Sequence, residues 1–106
     1  FNLVDYFSHH DKIIMGDSAG AVIQFREYHL SPDADYSKFS YYTGLDMLKN
    51  FNIEVHYAGS IAQNESIQKV TAEKHIPVLA LIDDSIIIAA NNNITCLGSV
   101  KISFPN

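Results

Sequence analysis

The chain has 106 residues, 47% of them hydrophobic and 18% charged, with a formal net charge of −5. That balance describes one small globular domain or a piece of a larger one, and excludes a disordered tail. Arg26 is the only arginine and no Lys/Arg stripe exists, which excludes a phosphate-backbone binder and so nucleic acid as a partner.

The chain opens on Phe1 rather than Met, consistent with processing or truncation. Leu3, Val4, Tyr6 and Phe7 fall near helical spacing and predict the end of an amphipathic helix. After the polar break His9-His10-Asp11, the run Lys12 to Met15 predicts a short buried strand. Gly16-Asp17-Ser18-Ala19-Gly20-Ala21 follows at once, and Val22 to Tyr28 predicts a helix leading away. Leu30 to Tyr42, rich in Pro, Asp and Ser, reads as a loop, and Gly44 to Asn50 as one or two helical turns. Ile53 to Tyr57 alternates like a strand, Ala62 to His75 has helical character, and Pro77 to Ile82 reads as a buried strand with a polar end at Asp83-Asp84. Three short strands follow, at 85–90, 94–97 and 100–104, separated by Asn91-Asn92-Asn93 and Gly98-Ser99. The apolar run Ile86 to Ala90 is far too short to span a bilayer, so no membrane partner is expected. Cys96, a lone cysteine, cannot close an internal disulfide, which fits a cytoplasmic protein. The expected class is α/β, a mostly parallel sheet flanked by helices with antiparallel strands at its C-terminal end.

Gly-x-Ser-x-Gly between a strand and a helix is the pattern of a nucleophile elbow. The serine sits in a strained turn that lifts its hydroxyl above the sheet, where neighbouring Cβ atoms would collide; hence the glycines at 16 and 20. The helix that follows points backbone N–H groups at the same place, making the Ala19 N–H a candidate oxyanion donor. Ser18 then needs a base. His9 and His10 read as surface residues, His29 lies in or beside a loop, and His75 ends a helix where the dipole favours it. His56 stands at the end of a strand, where α/β folds present catalytic side chains, although a packed histidine remains equally open. A carboxylate must orient the imidazole. Asp83 and Asp84 occupy another strand end, and Asp33 and Asp35 in the preceding loop compete with them.

Ile13-Ile14-Met15-Gly16-Asp17-Ser18-Ala19-Gly20-Ala21 resembles the Gly-x-Ser-Ala-Gly-Ala elbow of the peptidase E (aspartyl dipeptidase) and cyanophycinase family of serine peptidases. Ile53 to Tyr57 resembles the segment that ends in that family's catalytic His and an aromatic residue. Val78 to Ile88, with the Asn-rich turn and Leu97-Gly98-Ser99, resembles its closing strand, acidic turn, strand and Leu-Gly. The resemblance runs from about Leu3 to Ser99.

It implies a class I glutamine amidotransferase-like fold, with residues 1–106 forming the C-terminal part of a single α/β serine peptidase domain. It implies Ser18, His56 and Asp83 as the triad, Asp83 standing where the family has Glu, with Asp33 as the alternative acid. The family carries arginines shortly after its catalytic His, whereas 57–69 has none, which leaves Arg26 as the arginine for a substrate carboxylate. Family members are about twice as long, so an N-terminal half bearing a second oxyanion donor is expected to be missing.

The expected activity is cytoplasmic hydrolysis of short peptides, including those with an N-terminal aspartyl residue, without metal or other cofactor. A homo-oligomer, or association with the missing half, would complete the sheet. The alternative is a catalytically inactive homologue acting as a binding or assembly module.

Overall fold

The computed structural model describes residues 13–33, 37–90 and 93–106. The helix expected at Leu3–Phe7, together with His9, His10, Lys12 and Asp35, lies outside them. In chain order the elements are α1 (Ala19–Val22), β1 (Glu27–Leu30), β2 (Ser40–Thr43), β3 (Asn52–Glu54), α2 (Ile61–Lys74), β4 (Val78–Leu81), β5 (Ile86–Ala90), β6 (Asn93–Leu97) and β7 (Val100–Ser103).

β3, α2 and β4 form a parallel crossover unit, with Asn52, Ile53 and Glu54 opposite Val78, Leu79 and Ala80. β7 pairs antiparallel with the other edge of β4, giving the order β3-β4-β7. β1–β2 and β5–β6 are antiparallel two-stranded ribbons. The class is therefore α/β, but the sheets are mixed. Among the described residues the parallel strand pair is β3–β4, and the mostly parallel sheet expected from the sequence is not formed.

β4 is short, apolar and buried on both faces, as a central strand must be. Val78 and Ala80 face α2, where they pack with Ile67 and Val70. Leu79 faces the opposite way, into a cluster with Val22, Phe25, Phe51 and Ile53. Phe25 and Phe51 meet edge to face with ring centroids 4.8 Å apart, a geometry worth about 0.5–1.5 kcal/mol beyond the area buried.

α2 starts and stops where local chemistry dictates. The Ser60 hydroxyl accepts the Gln63 N–H at its first turn, a cap worth about 1 kcal/mol. At the other end His75 takes a left-handed conformation and donates its N–H to the Thr71 carbonyl.

Four expectations about local structure need correction. The helix expected at Val22–Tyr28 is instead the single turn Ala19–Val22, and the chain re-enters as strand β1 at Glu27. It turns because Phe25 is drawn into the core and bridges in parallel to Leu48. Gly44 makes this possible, since a Cβ there would lie 2.1 Å from the Phe25 carbonyl oxygen. The expected loop 30–42 contains most of β2, held to β1 by ladder bonds and by Tyr28 stacked on Tyr42 at 5.5 Å. Finally, Ile13–Met15 is not a strand, and Ile13 and Met15 are each 91% exposed. Gly44–Asn50 likewise forms no helix, and Asp46 and Asn50 adopt positive φ of 58° and 73°.

Tyr41 joins β2 to α2. Its hydroxyl donates to Glu73 Oε1 at 2.8 Å, while Lys69 pairs with Glu73 Oε2 at 3.0 Å. Burial, and then the Glu73 contact, push the Tyr41 phenol above its ordinary range. The Tyr41 hydroxyl, followed by Lys69, holds the Glu73 carboxyl below its ordinary 4.5. A carboxyl depressed in the folded state stabilises the fold above its unfolded pKa, and that contribution is lost as pH falls through the folded value. Tyr41→Phe should therefore be less stable than wild type near pH 7. Denaturant titrations should show the gap closing as pH drops below the ordinary carboxyl range, and a gap of constant size would contradict the link.

Candidate active site

Ser18 sits directly before α1 with φ 51° and ψ −114°. A residue with a Cβ pays on the order of 1–3 kcal/mol to stand there. The turn is held by bonds from Gly20 N to the Asp17 carbonyl at 2.9 Å, and from Ala21 N and Val22 N to the Ser18 carbonyl at 3.0 and 3.1 Å. Gly16 is required by close approach, because a Cβ at that position would lie 2.2 Å from the Gly20 carbonyl oxygen and 2.5 Å from Gln24 Nε2. Gly20 is not: a Cβ there meets nothing within 4 Å among the described residues. The steric argument from the sequence thus holds for the first glycine alone.

His56 lies just past the end of β3, and Asp83 just past the end of β4. Parallel pairing puts those two strand ends side by side. The Tyr57 N–H donates to the Leu81 carbonyl at 2.9 Å, which fixes the loop after β3 against the end of β4. His56 takes a positive φ of 52°. Its Nε2 stands 3.0 Å from Ser18 Oγ and its Nδ1 stands 3.1 Å from Asp83 Oδ1. With the proton on Nδ1 directed at Asp83, the Nε2 lone pair is free to accept the serine proton. The relay is open to solvent, the His56 and Asp83 side chains being 62% and 80% exposed.

The other sequence candidates fall as follows. Asp33 is exposed beyond β1, and Asp83 is the carboxylate at the His56 ring. Asp84, with φ 72°, completes the turn beside it. The Ala19 N–H begins α1 and makes no hydrogen bond among the described residues. Arg26 Nε stands 3.7 Å from Asp46 Oδ1, a buried oxygen with no hydrogen bond among the described residues. The guanidinium is thus engaged with the half-buried Asp46 carboxylate, and it borders a cavity shared with Glu27, Lys49, Phe51 and Lys74.

His29, expected in or beside a loop, is 3% exposed within β1. Its ring nitrogens meet Asn52 Oδ1 at 2.8 Å and Glu54 Oε1 at 2.9 Å, and Ser31 Oγ donates to the same Glu54 oxygen at 2.7 Å. This paired polar cluster fastens β1 to β3, so buried Glu54 is not left without partners. Sequence reasoning missed Gln63, which bonds the His56 carbonyl. The Ser-x-x-Gln spacing at 60–63, a capping-box signature, is the signal that could have drawn attention to it.

No helix among the described residues is long and apolar enough to cross a membrane. No curated protein and no solved structure matches the chain. The family model described as peptidase family S51 matches residues 3–97, a stretch that includes Ser18, His56 and Asp83. A match over nearly the whole chain establishes the peptidase E relationship that its serine turn suggests: the chain belongs to peptidase family S51.

Proposed function

We propose that the chain is the catalytic part of a serine-type peptidase that hydrolyses short peptides, with N-terminal aspartyl peptides as its first candidate substrates. The observation that carries this reading is the relay Ser18 Oγ–His56 Nε2 at 3.0 Å and His56 Nδ1–Asp83 at 3.1 Å. Ser18 Oγ attacks the peptide carbonyl as its proton passes to His56 Nε2. Asp83 holds the ring tautomer and stabilises the imidazolium, and the Ala19 N–H donates to the developing oxyanion. His56 then gives the proton to the leaving amine. Water enters, loses a proton to His56 and releases the acyl group from Ser18, restoring the serine hydroxyl. The β3–α2–β4 unit with its serine turn supports a class I glutamine amidotransferase-like arrangement.

A second reading, a binding or assembly module that keeps the fold without turnover, is favoured by the solvent exposure of His56 and Asp83 and by the absence of arginine from 57–69. A dipeptide panel assayed with the full-length protein separates the two. The serine-peptidase reading expects Asp-Xaa peptides to be cleaved with kcat/KM at least about tenfold above that of Leu-Xaa peptides, a step of about 1.4 kcal/mol. Equal cleavage would overturn the aspartyl preference alone, and no cleavage of any peptide by folded protein would favour the module.

A further inference from the structure

We infer that Gln63 is a positioning residue for His56, an assignment that rests on the peptidase reading above. His56 has a positive φ, and such a conformation persists only where the surroundings hold it. Gln63 holds it from both sides. Its Nε2 donates to the His56 carbonyl at 3.1 Å, and its Oε1 accepts the Ala58 N–H at 2.9 Å. One planar amide thereby brackets Tyr57, the residue whose own N–H is tied to the Leu81 carbonyl at the end of β4.

Gln63 is itself placed by the start of α2. Its backbone N–H donates to Ser60 Oγ at 3.1 Å, and the Ser60 hydroxyl lies 3.3 Å from Gln63 Oε1. The next residue reinforces the same loop, since the Tyr57 hydroxyl donates to Asn64 Oδ1 at 2.6 Å and Asn64 Nδ2 reaches the Gly59 carbonyl at 3.4 Å. The first turn of α2 thus serves as a template for residues 56–60, and Gln63 is the member that touches the His56 backbone. Misplacing a catalytic group by about 1 Å can cost on the order of a hundredfold in rate.

The test compares Gln63→Met, which keeps the length of the side chain but loses both hydrogen bonds, with Gln63→Glu, which keeps the acceptor for Ala58 and loses the donor to His56. Tyr41→Phe serves as the control, because it weakens the attachment of α2 to β2 through Glu73 without touching Gln63 or the His56 carbonyl. Both Gln63 variants should lower kcat about tenfold to a hundredfold while KM stays within about twofold. Tyr41→Phe should lower Tm and leave kcat near wild type. A purely structural role for Gln63 would instead give kcat losses that follow Tm across all three variants, and that result would overturn the assignment, as would unchanged kcat in Gln63→Met.

A second readout does not depend on turnover. Amide hydrogen exchange at Ala58 should be at least about tenfold faster in Gln63→Met than in wild type, and an unchanged rate would overturn the clamp. If the wild-type protein shows no Ser18-dependent turnover, the peptidase reading falls, and the exchange result alone then decides whether Gln63 holds the loop.

Discussion

Ser18→Ala should reduce peptide hydrolysis by about 10⁴-fold or more while leaving the fold intact. The magnitude follows from what remains after the change. An oxyanion donor such as the Ala19 N–H and the substrate contacts would survive, but no oxygen would remain 3.0 Å from His56 Nε2 to attack the carbonyl. Stability should move by no more than about 0.5 kcal/mol, since the lost hydroxyl fills no core position and the Cβ that carries the backbone strain is retained. The check is steady-state kinetics on a cleaved peptide beside a thermal melt. Turnover within tenfold of wild type, in protein melting normally, would remove Ser18 from the chemistry.

Asp83→Asn carries the second large effect. The carboxylate accepts from Nδ1 and so keeps the Nε2 lone pair directed at Ser18. An amide can turn its NH₂ toward Nδ1, which would drive the ring proton to Nε2 and leave no base facing the serine. Loss of this kind reaches about 10⁴-fold in a buried triad. Asp83 is 80% exposed, so water can partly substitute for it, and a loss of about 10²–10³-fold is expected here. Asp84→Asn and Asp33→Asn are the comparisons, and both should stay within about threefold of wild type. Asn tolerates the left-handed backbone of Asp84, and Asp83 already occupies the His56 ring. A large loss in Asp33→Asn with a small one in Asp83→Asn would reassign the acid.

Much of this arrangement can be read in the sequence because local signals and tertiary packing agree there. The apolar run at 77–82 reads as a buried strand and forms β4, and the helical stretch 62–75 forms α2, closed by His75 in the left-handed form. His56 and Asp83 stand at strand ends, so one parallel register suffices to bring them together.

The misreadings come from places where partners outweigh local preference. Val22 to Tyr28 has helical composition, but the parallel bridge of Phe25 to Leu48 and the burial of Phe25 outweigh it. Ser31, Pro32 and Asp33 give the following stretch a loop composition that hides Tyr41 and Tyr42, whose strand character depends on pairing with His29 and Tyr28. Ile13 to Met15 looks like a buried strand, yet a strand is defined by its neighbours, and none of the described residues pairs with it. Gln63 was hidden because a capping residue and a positioning residue have the same sequence signature.

The central claim is that Ser18 is an activated nucleophile, and labelling with a fluorophosphonate probe tests it most directly. The full-length protein would be treated with the probe, digested, and the modified peptide located by mass spectrometry, with Ser18→Ala treated in parallel. The account predicts a single adduct on Ser18 that is absent from Ser18→Ala and slowed in Asp83→Asn. Folded wild-type protein left unmodified, or an adduct carried by another residue and retained in Ser18→Ala, would contradict it.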